Sequence, residues 1–391
     1  MSLATDLDTL IANAVTAQDL AGVVLTVGRT NEVLYESAAG RRSLDAPQPM
    51  TPDTVMFLAS MTKAITGVLA MQLVECGRLE LDAPAARLLP ELDRVQVLEG
   101  FDEKTGEPRL RAPRSPVTLR NLLTHSSGFA YEFWNADIGR YLEKRGVPSV
   151  LSGTRASFAM PLAHDPDTAW SYGQGIDVAG RLIEEAAGET LREFARKNLF
   201  EPLRMDGTSF RISPEMRTRL ATMHARTPDG GLAVHPIEID QNAEQDMGGH
   251  SVYGTAPDYL RFLRMILGGG ALDGARVLKA QTVATLSRNH LAGDLRVRTL
   301  KTVAPGFTHD CNFFPDIPCT WGLSWLINTQ QTPEGRSPGS LAWAGICNNY
   351  CWVDPQRDIA GVMYSQLLPF FDPRALALFR DFERTVYRSL G

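Results

Sequence analysis

Ser60 and Lys63 stand three residues apart at the head of an apolar run, Ala64-Ile65-Thr66-Gly67-Val68-Leu69-Ala70-Met71-Gln72-Leu73-Val74. On a helix that spacing stacks the two side chains on one face, about one turn apart. A serine hydroxyl is a weak nucleophile until a base removes its proton, and a neighbouring amine can be that base. Free lysine is protonated near neutrality, with a pKa of about 10.4. Burial disfavours the ammonium, and so does the positive end of a helix dipole, so both push Lys63 toward the neutral amine. The run is apolar nearly all round, which places its helix in the middle of the molecule. Taken alone, the pair also fits a surface serine beside a lysine that snorkels from a helix start. It is the only Ser-x-x-Lys in the chain.

Acyl transfer through such a pair needs a proton carrier and an oxyanion site. Tyr172, in the loop Ala169-Trp170-Ser171-Tyr172-Gly173-Gln174-Gly175, is the candidate carrier, because a phenol with a lowered pKa can shuttle a proton near a lysine. By itself Tyr172 reads more readily as a packed loop aromatic. Backbone amides make the best oxyanion donors because they are fixed and aimed. The Ser60 amide at the helix start is one, and Ile346, at the end of Trp343-Ala344-Gly345-Ile346, could supply the second. Without that context the segment is simply a sheet strand. His125 beside Ser126 and Ser127 suggests a Ser–His pair, but adjacent residues rarely reach catalytic geometry, so His125 is read as structural. No Gly-x-Ser-x-Gly elbow is present.

The elements that must position these groups follow in chain order. Residues 4–18 read as an amphipathic helix, and 22–27 and 32–36 as two strands around a turn. A polar connection over 41–54 leads to Ser60. After that helix come a hairpin over 95–112, a helix over 118–124 closed by a glycine-capped loop ending at Gly128, and helices near 135–145 and 175–196. Met247-Gly248-Gly249-His250-Ser251 makes a tight turn. Thr255 caps a helix with Pro257 in its first turn and Gly268 as its stop. Strands are expected over 320–327, 341–347, 350–354 and 359–365, and an amphipathic helix over 373–389. The fold class is therefore α/β (α+β): a mainly antiparallel sheet flanked by terminal helices, with an inserted, mostly helical domain. The expected division is 1–58 with 246–391 as the sheet domain and 59–245 as the helical domain, with the site in the cleft between them.

Composition bounds the function. The chain has 391 residues, 44% hydrophobic and 21% charged, with a formal net charge of −6 and no basic stripe. Nucleic acid is an unsuitable partner, and no apolar run approaches the roughly 18 residues of a membrane span. The N-terminal residues show no export signal, so a cytoplasmic location is expected. The five cysteines (76, 311, 319, 347 and 351) are read as reduced thiols. His309, Cys311 and Cys319 do not complete a metal-ligand spacing, so no metal and no cofactor are expected.

Ser60-x-x-Lys63, Tyr172-x-Gln174 and Trp343-Ala344-Gly345 resemble, in order and rough spacing, the motifs of serine beta-lactamase-like hydrolases. That group comprises class C beta-lactamases, DD-peptidases and family VIII carboxylesterases. Leu122-Leu123-Thr124-His125-Ser126-Ser127-Gly128 resembles its Leu-Leu-Thr-His-Thr-Ser-Gly segment, and Gly248-Gly249 with the following helix resembles another of its segments. The likeness covers roughly residues 10–385. It implies Ser60 as the acylated nucleophile, Lys63 and Tyr172 sharing the base role, the amides of Ser60 and Ile346 as the oxyanion hole, and a beta-lactamase/transpeptidase-like fold. Gln174, Trp343, Ala344 and Gly345 would contact substrate; Tyr131, Phe133 and Trp134, after Gly128, read equally as lining its pocket or as loop aromatics packed on the domain.

Two departures bear on specificity. Gln174 stands where asparagine is usual, and Trp343 where the lysine of Lys-Thr-Gly is usual. Loss of that lysine removes a partner for a substrate carboxylate and favours a neutral ester; a tryptophan there looks like the family VIII esterases. Lys104-Thr105-Gly106 matches the missing motif letter for letter, but it precedes Tyr172 and lacks strand flanks, so it reads as a hairpin turn. The leading expectation is a serine carboxylesterase acting on short-chain esters, with weak beta-lactam hydrolysis at most. Acyltransferase activity on the same scaffold, beta-lactamase or DD-peptidase activity, and a catalytically inactive binding protein are the alternatives.

Overall fold

The computed structural model describes residues 2–235 and 237–390. Its centre is a seven-stranded sheet in the order Cys319–Trp321, Leu326–Asn328, Leu341–Gly345, Asn349–Asp354, Ile359–Tyr364, Gly22–Gly28, Val33–Gly40. Every neighbouring pair is antiparallel. The two chain ends therefore meet in the middle of the sheet, where Val24 lies opposite Tyr364 and Thr26 opposite Val362.

The strand Gly22–Gly28 shows why both faces are covered, since every residue in it is buried. Side chains alternate faces along a strand. Val23, Leu25 and Val27 pack with Leu7, Ile11, Phe379 and Phe382 of the terminal helices Leu3–Thr16 and Pro373–Leu390. Val24 packs the other way, with Leu260 and Leu263 of the helix Ala256–Leu267. Burying each such side chain contributes about 1.5–3 kcal/mol. Thr255 caps the helix Ala256–Leu267 as its sequence requires, accepting from the Asp258 amide at 3.3 Å.

The middle of the chain packs around the helix Thr62–Glu75, eleven of whose residues are buried. The helices Leu119–Thr124 and Gly175–Ala187 belong to the same core. Short pairings tie this part to the sheet side: Met56–Phe57 with Tyr253–Gly254, and His224–Arg226 with Leu367–Leu368. No described helix is long and apolar enough to cross a membrane.

Four local expectations are corrected. The strand expected over 320–327 is two strands, because Gly322 donates to the Trp325 carbonyl at 2.8 Å and Ser324 adopts a positive φ of 77°, folding the segment into a hairpin. The helix expected over 175–196 stops at Ala187, where Gly188 takes the left-handed conformation; Thr190 then caps a new helix at Leu191. Helix Leu119–Thr124 is closed by His125 itself, at φ 58°, before the chain reaches Gly128. The largely strand-free reading of 60–245 overlooked His224–Arg226 and Leu232–Val234, too short to show a period of two.

Candidate active site

The backbone around Ser60 is fixed from both sides. Leu58 donates to the Val252 carbonyl at 2.9 Å, and Ala59 is held at φ 48°, a left-handed conformation that costs a non-glycine residue about 1–2 kcal/mol. A single 3-10 turn, Ala59–Met61, then delivers the chain into helix Thr62–Glu75. Ser60 is half-buried at this corner and Lys63 is fully buried one turn later. The Lys63 Nζ lies 3.1 Å from Ser60 Oγ and donates to the Gly249 carbonyl at 2.8 Å. It also sits 5.0 Å from the Tyr131 ring centre and 4.8 Å from that of Tyr172. Burial lowers the Lys63 pKa to about 7, against a smaller upward pull from the Asp177 carboxylate. The amine is thus available as a base near neutral pH, as the sequence argument requires.

Tyr172 reaches the same point from its loop. Its carbonyl accepts from the Tyr131 amide at 3.2 Å, and Gly173 donates to His125 Nδ1 at 3.3 Å. Glycine is required at 173, because a Cβ there would fall 2.2 Å from the Phe129 carbonyl oxygen. The Tyr172 hydroxyl accepts from the indole Nε1 of Trp343 at 3.0 Å. Its pKa is corrected from the lowered value expected: burial pushes it well above the usual phenol value, and hydrogen bonds from Ser60 and Trp343 offset only part of that. Tyr172 is therefore a neutral phenol, a proton donor.

The edge of the sheet completes the corner. A Cβ on Gly345 would lie 2.3 Å from the Leu58 carbonyl oxygen, so the end of strand Leu341–Gly345 runs against the Ser60 turn and brings Ile346 into the same lining as Ser60. Ser60 opens on a cavity enclosing about 790 Å³, part of it open to solvent. Tyr131, Phe133, Trp134, Trp343, Ala344 and Ile346 all line it. So do Met223, Ile237, Ile239, Leu300, Phe307, Leu368 and Phe370, which sequence reasoning did not find because they come from separate segments joined only by folding. Among the described residues no Asp, Glu, Lys or Arg borders this space.

Some expected residues are not brought together. Gln174 is buried at the start of helix Gly175–Ala187, its amide 3.4 Å from Ser157 Oγ, and lies outside the cavity lining. Gly345 contributes close backbone approach rather than a lining surface. His125 is buried and its pKa falls well below the ordinary histidine value. Ser126 bonds Asp167 at 2.7 Å, so the two neighbours form no Ser–His pair. Lys104-Thr105-Gly106 is a polar turn in which Asp102 accepts from the Lys104 and Thr105 amides at 3.0 and 2.8 Å. Among the described residues no three His, Cys, Asp or Glu side chains gather as a metal site, and all five cysteines are free thiols.

Two residues at the corner went unnoticed in the sequence. Asp177 accepts from the Gly249 amide at 2.7 Å and from the Tyr131 hydroxyl at 3.1 Å. His250 lines the cavity, with its Nδ1 3.5 Å from Asp177. An aspartate in the first turn of a helix is an ordinary partner for the helix dipole, which hid Asp177 from a sequence reading.

Known proteins resemble this chain over most of their length. The chain is 31% identical to the lovastatin esterase of Penicillium rubens over 98% of each protein. It is 30% identical to the monacolin J acid methylbutanoyltransferase of Aspergillus terreus, over 97% of this chain and 95% of that one. Among solved structures, the LovD6 mutant of simvastatin synthase from Aspergillus terreus superposes with a TM-score of 0.86 at 29% identity, covering 98% of this chain and 94% of that one. These relatives are esterases and acyltransferases, and the observed sheet and helices are of the beta-lactamase/transpeptidase-like kind. The family model described as Beta-lactamase matches residues 7–384, the same stretch that assembles the serine turn, the buried lysine and the strand edge, and the chain belongs to that family.

Proposed function

We propose that this chain is a serine acyl-transfer enzyme that takes a short acyl group from a small neutral ester onto Ser60 and passes it to a small-molecule alcohol. The observation that carries the reading is Ser60 Oγ, 3.1 Å from a fully buried Lys63 amine, at the mouth of a cavity with no ionic side chain. Neutral Lys63 takes the Ser60 proton as Oγ attacks the ester carbonyl. The oxyanion is held by the amides of Ser60 and Ile346. As the intermediate collapses, the C–O bond to the leaving alcohol breaks and Tyr172 delivers its proton to that oxygen. Tyr172 recovers a proton from the Lys63 ammonium, so both groups return to their starting states. The acyl chain rests among Phe133, Trp134 and Ile346.

The second step repeats the first in reverse with a new hydroxyl. An apolar cavity favours an alcohol over water as that acceptor, and the methylbutanoyltransferase relatives support the same choice. Hydrolysis is the second reading, favoured by the esterase relative. A beta-lactam carboxylate finds no cation in this lining, so beta-lactam turnover is expected to be slow or nil.

The test pairs p-nitrophenyl butyrate with a chromogenic cephalosporin, wild type against Ser60→Ala, with and without an added apolar alcohol. The expected result is fast ester turnover, negligible cephalosporin turnover, butyrate ester of the added alcohol as the main product, and loss of all turnover in the variant. Free butyrate as the only product would select hydrolysis. Ester turnover that survives in Ser60→Ala would overturn the assignment.

A further inference from the structure

Lys63 is not aimed by its own helix alone. Its amine donates to the Gly249 carbonyl at 2.8 Å, and the Gly249 amide donates to Asp177 Oδ1 at 2.7 Å. The other carboxylate oxygen accepts from Tyr131 at 3.1 Å, and His250 Nδ1 lies 3.5 Å from Oδ1. Asp177 is 1% exposed and Lys63 fully buried, so this chain of contacts runs through a dry interior. The glycine is a structural requirement: a Cβ at 249 would fall 2.6 Å from Asp177 and 2.8 Å from the Tyr131 hydroxyl. The titratable groups around Lys63 are Tyr131 and Tyr172 with their rings, His125 from the end of helix Leu119–Thr124, His250, and Asp177 from helix Gly175–Ala187. Asp177 is the carboxylate in that set.

We propose that Asp177 is a positioning residue for the acyl-transfer step: through the Gly249 peptide it points the Lys63 lone pair at Ser60, and it supplies the counter-charge when Lys63 becomes an ammonium. The inference rests on the proposed role of Ser60 and Lys63. In the reactive form Lys63 is a neutral amine that becomes an ammonium as the Ser60 proton moves to Nζ, so a fixed carboxylate nearby stabilises the transition state more than that amine. A backbone carbonyl occupying one Nζ hydrogen leaves the lone pair free for the serine.

The experiment measures the second-order rate at which a fluorophosphonate labels Ser60, as a function of pH, in wild type and Asp177→Asn. That readout needs only an activated serine and no knowledge of the natural ester. Removing the carboxylate takes away an upward pull on the lysine pKa, so the rising limb is expected to move to lower pH, by about one unit. The plateau rate is expected to fall about tenfold, the equivalent of one such unit lost from the ammonium in the transition state. A merely structural role would lower the rate at every pH without moving the limb. Asp177→Ala provides a second arm: formate, but not formamide, should restore part of its labelling rate. An unmoved limb, whether the plateau falls or not, or equal rescue by formamide, overturns the role of Asp177 and leaves Ser60 as nucleophile. Failure of wild-type Ser60 to be labelled overturns both.

Discussion

Replacing Lys63 with methionine should remove activity and, at neutral pH, stabilise the fold. Methionine fills nearly the same volume in an apolar surround without carrying an amine. In the folded protein Lys63 titrates at about 7, against 10.5 for the exposed group. Between these values the unfolded chain binds a proton that the folded chain does not, so wild-type stability rises with pH across that window. The linkage cost of holding Lys63 is about 4 kcal/mol at pH 7 and about 2 kcal/mol at pH 9. Methionine escapes that cost but leaves the Gly249 carbonyl without its donor, a loss of about 1–3 kcal/mol. The variant is therefore expected to be more stable than wild type by about 1–3 kcal/mol at pH 7. That advantage should shrink by about 2 kcal/mol at pH 9, since every other titrating group is common to both proteins and cancels. Urea unfolding followed by circular dichroism at the two pH values gives the difference directly. A gap that stays constant between pH 7 and 9 would mean that Lys63 keeps its proton when folded, and the base assignment would fall with it.

Two further changes probe the rest of the corner. Trp343→Phe keeps the ring and removes the N–H that bonds Tyr172; with Tyr172 a weaker proton donor, turnover of ethyl butyrate should fall about tenfold more than that of p-nitrophenyl butyrate, whose leaving group needs no proton. Equal losses on the two esters would show that the indole merely packs. Gly173→Ala drives a methyl into the Phe129 carbonyl, so thermal unfolding should register a loss of about 1–3 kcal/mol and kcat should fall as the Tyr172 loop moves; wild-type kcat and stability in this variant would refute the packing argument.

The sequence alone determined whatever depends on local periodicity and on residue type. The apolar run after Ser60 required a buried helix, and that burial is what frees the Lys63 amine, so one stretch of sequence implied both structure and chemistry. The apolar run in Gly22–Gly28 and the strands after 341 implied a sheet built from both chain ends. The decoy turn at Lys104-Thr105-Gly106 was also legible, because its polar residues form the exposed tip of a hairpin between Val97–Phe101 and Pro108–Arg111 and cannot make a buried edge.

Tertiary structure decided what arises from convergence of distant segments. The cavity wall draws Met223, Ile239, Phe307 and Leu368 from separate segments, each of which reads in sequence as an ordinary apolar residue. Gln174 looked like a substrate contact by position in its motif, yet it bonds Ser157 away from the cavity, because the start of a helix fixes its direction. The Tyr172 pKa depends on how much water the fold excludes and on which donor reaches its oxygen, and neither is encoded by a neighbour in the chain. Asp177 gives the plainest case. Its sequence setting is an ordinary helix start, and only the close approach of Gly249, 72 residues away, joins it to Lys63.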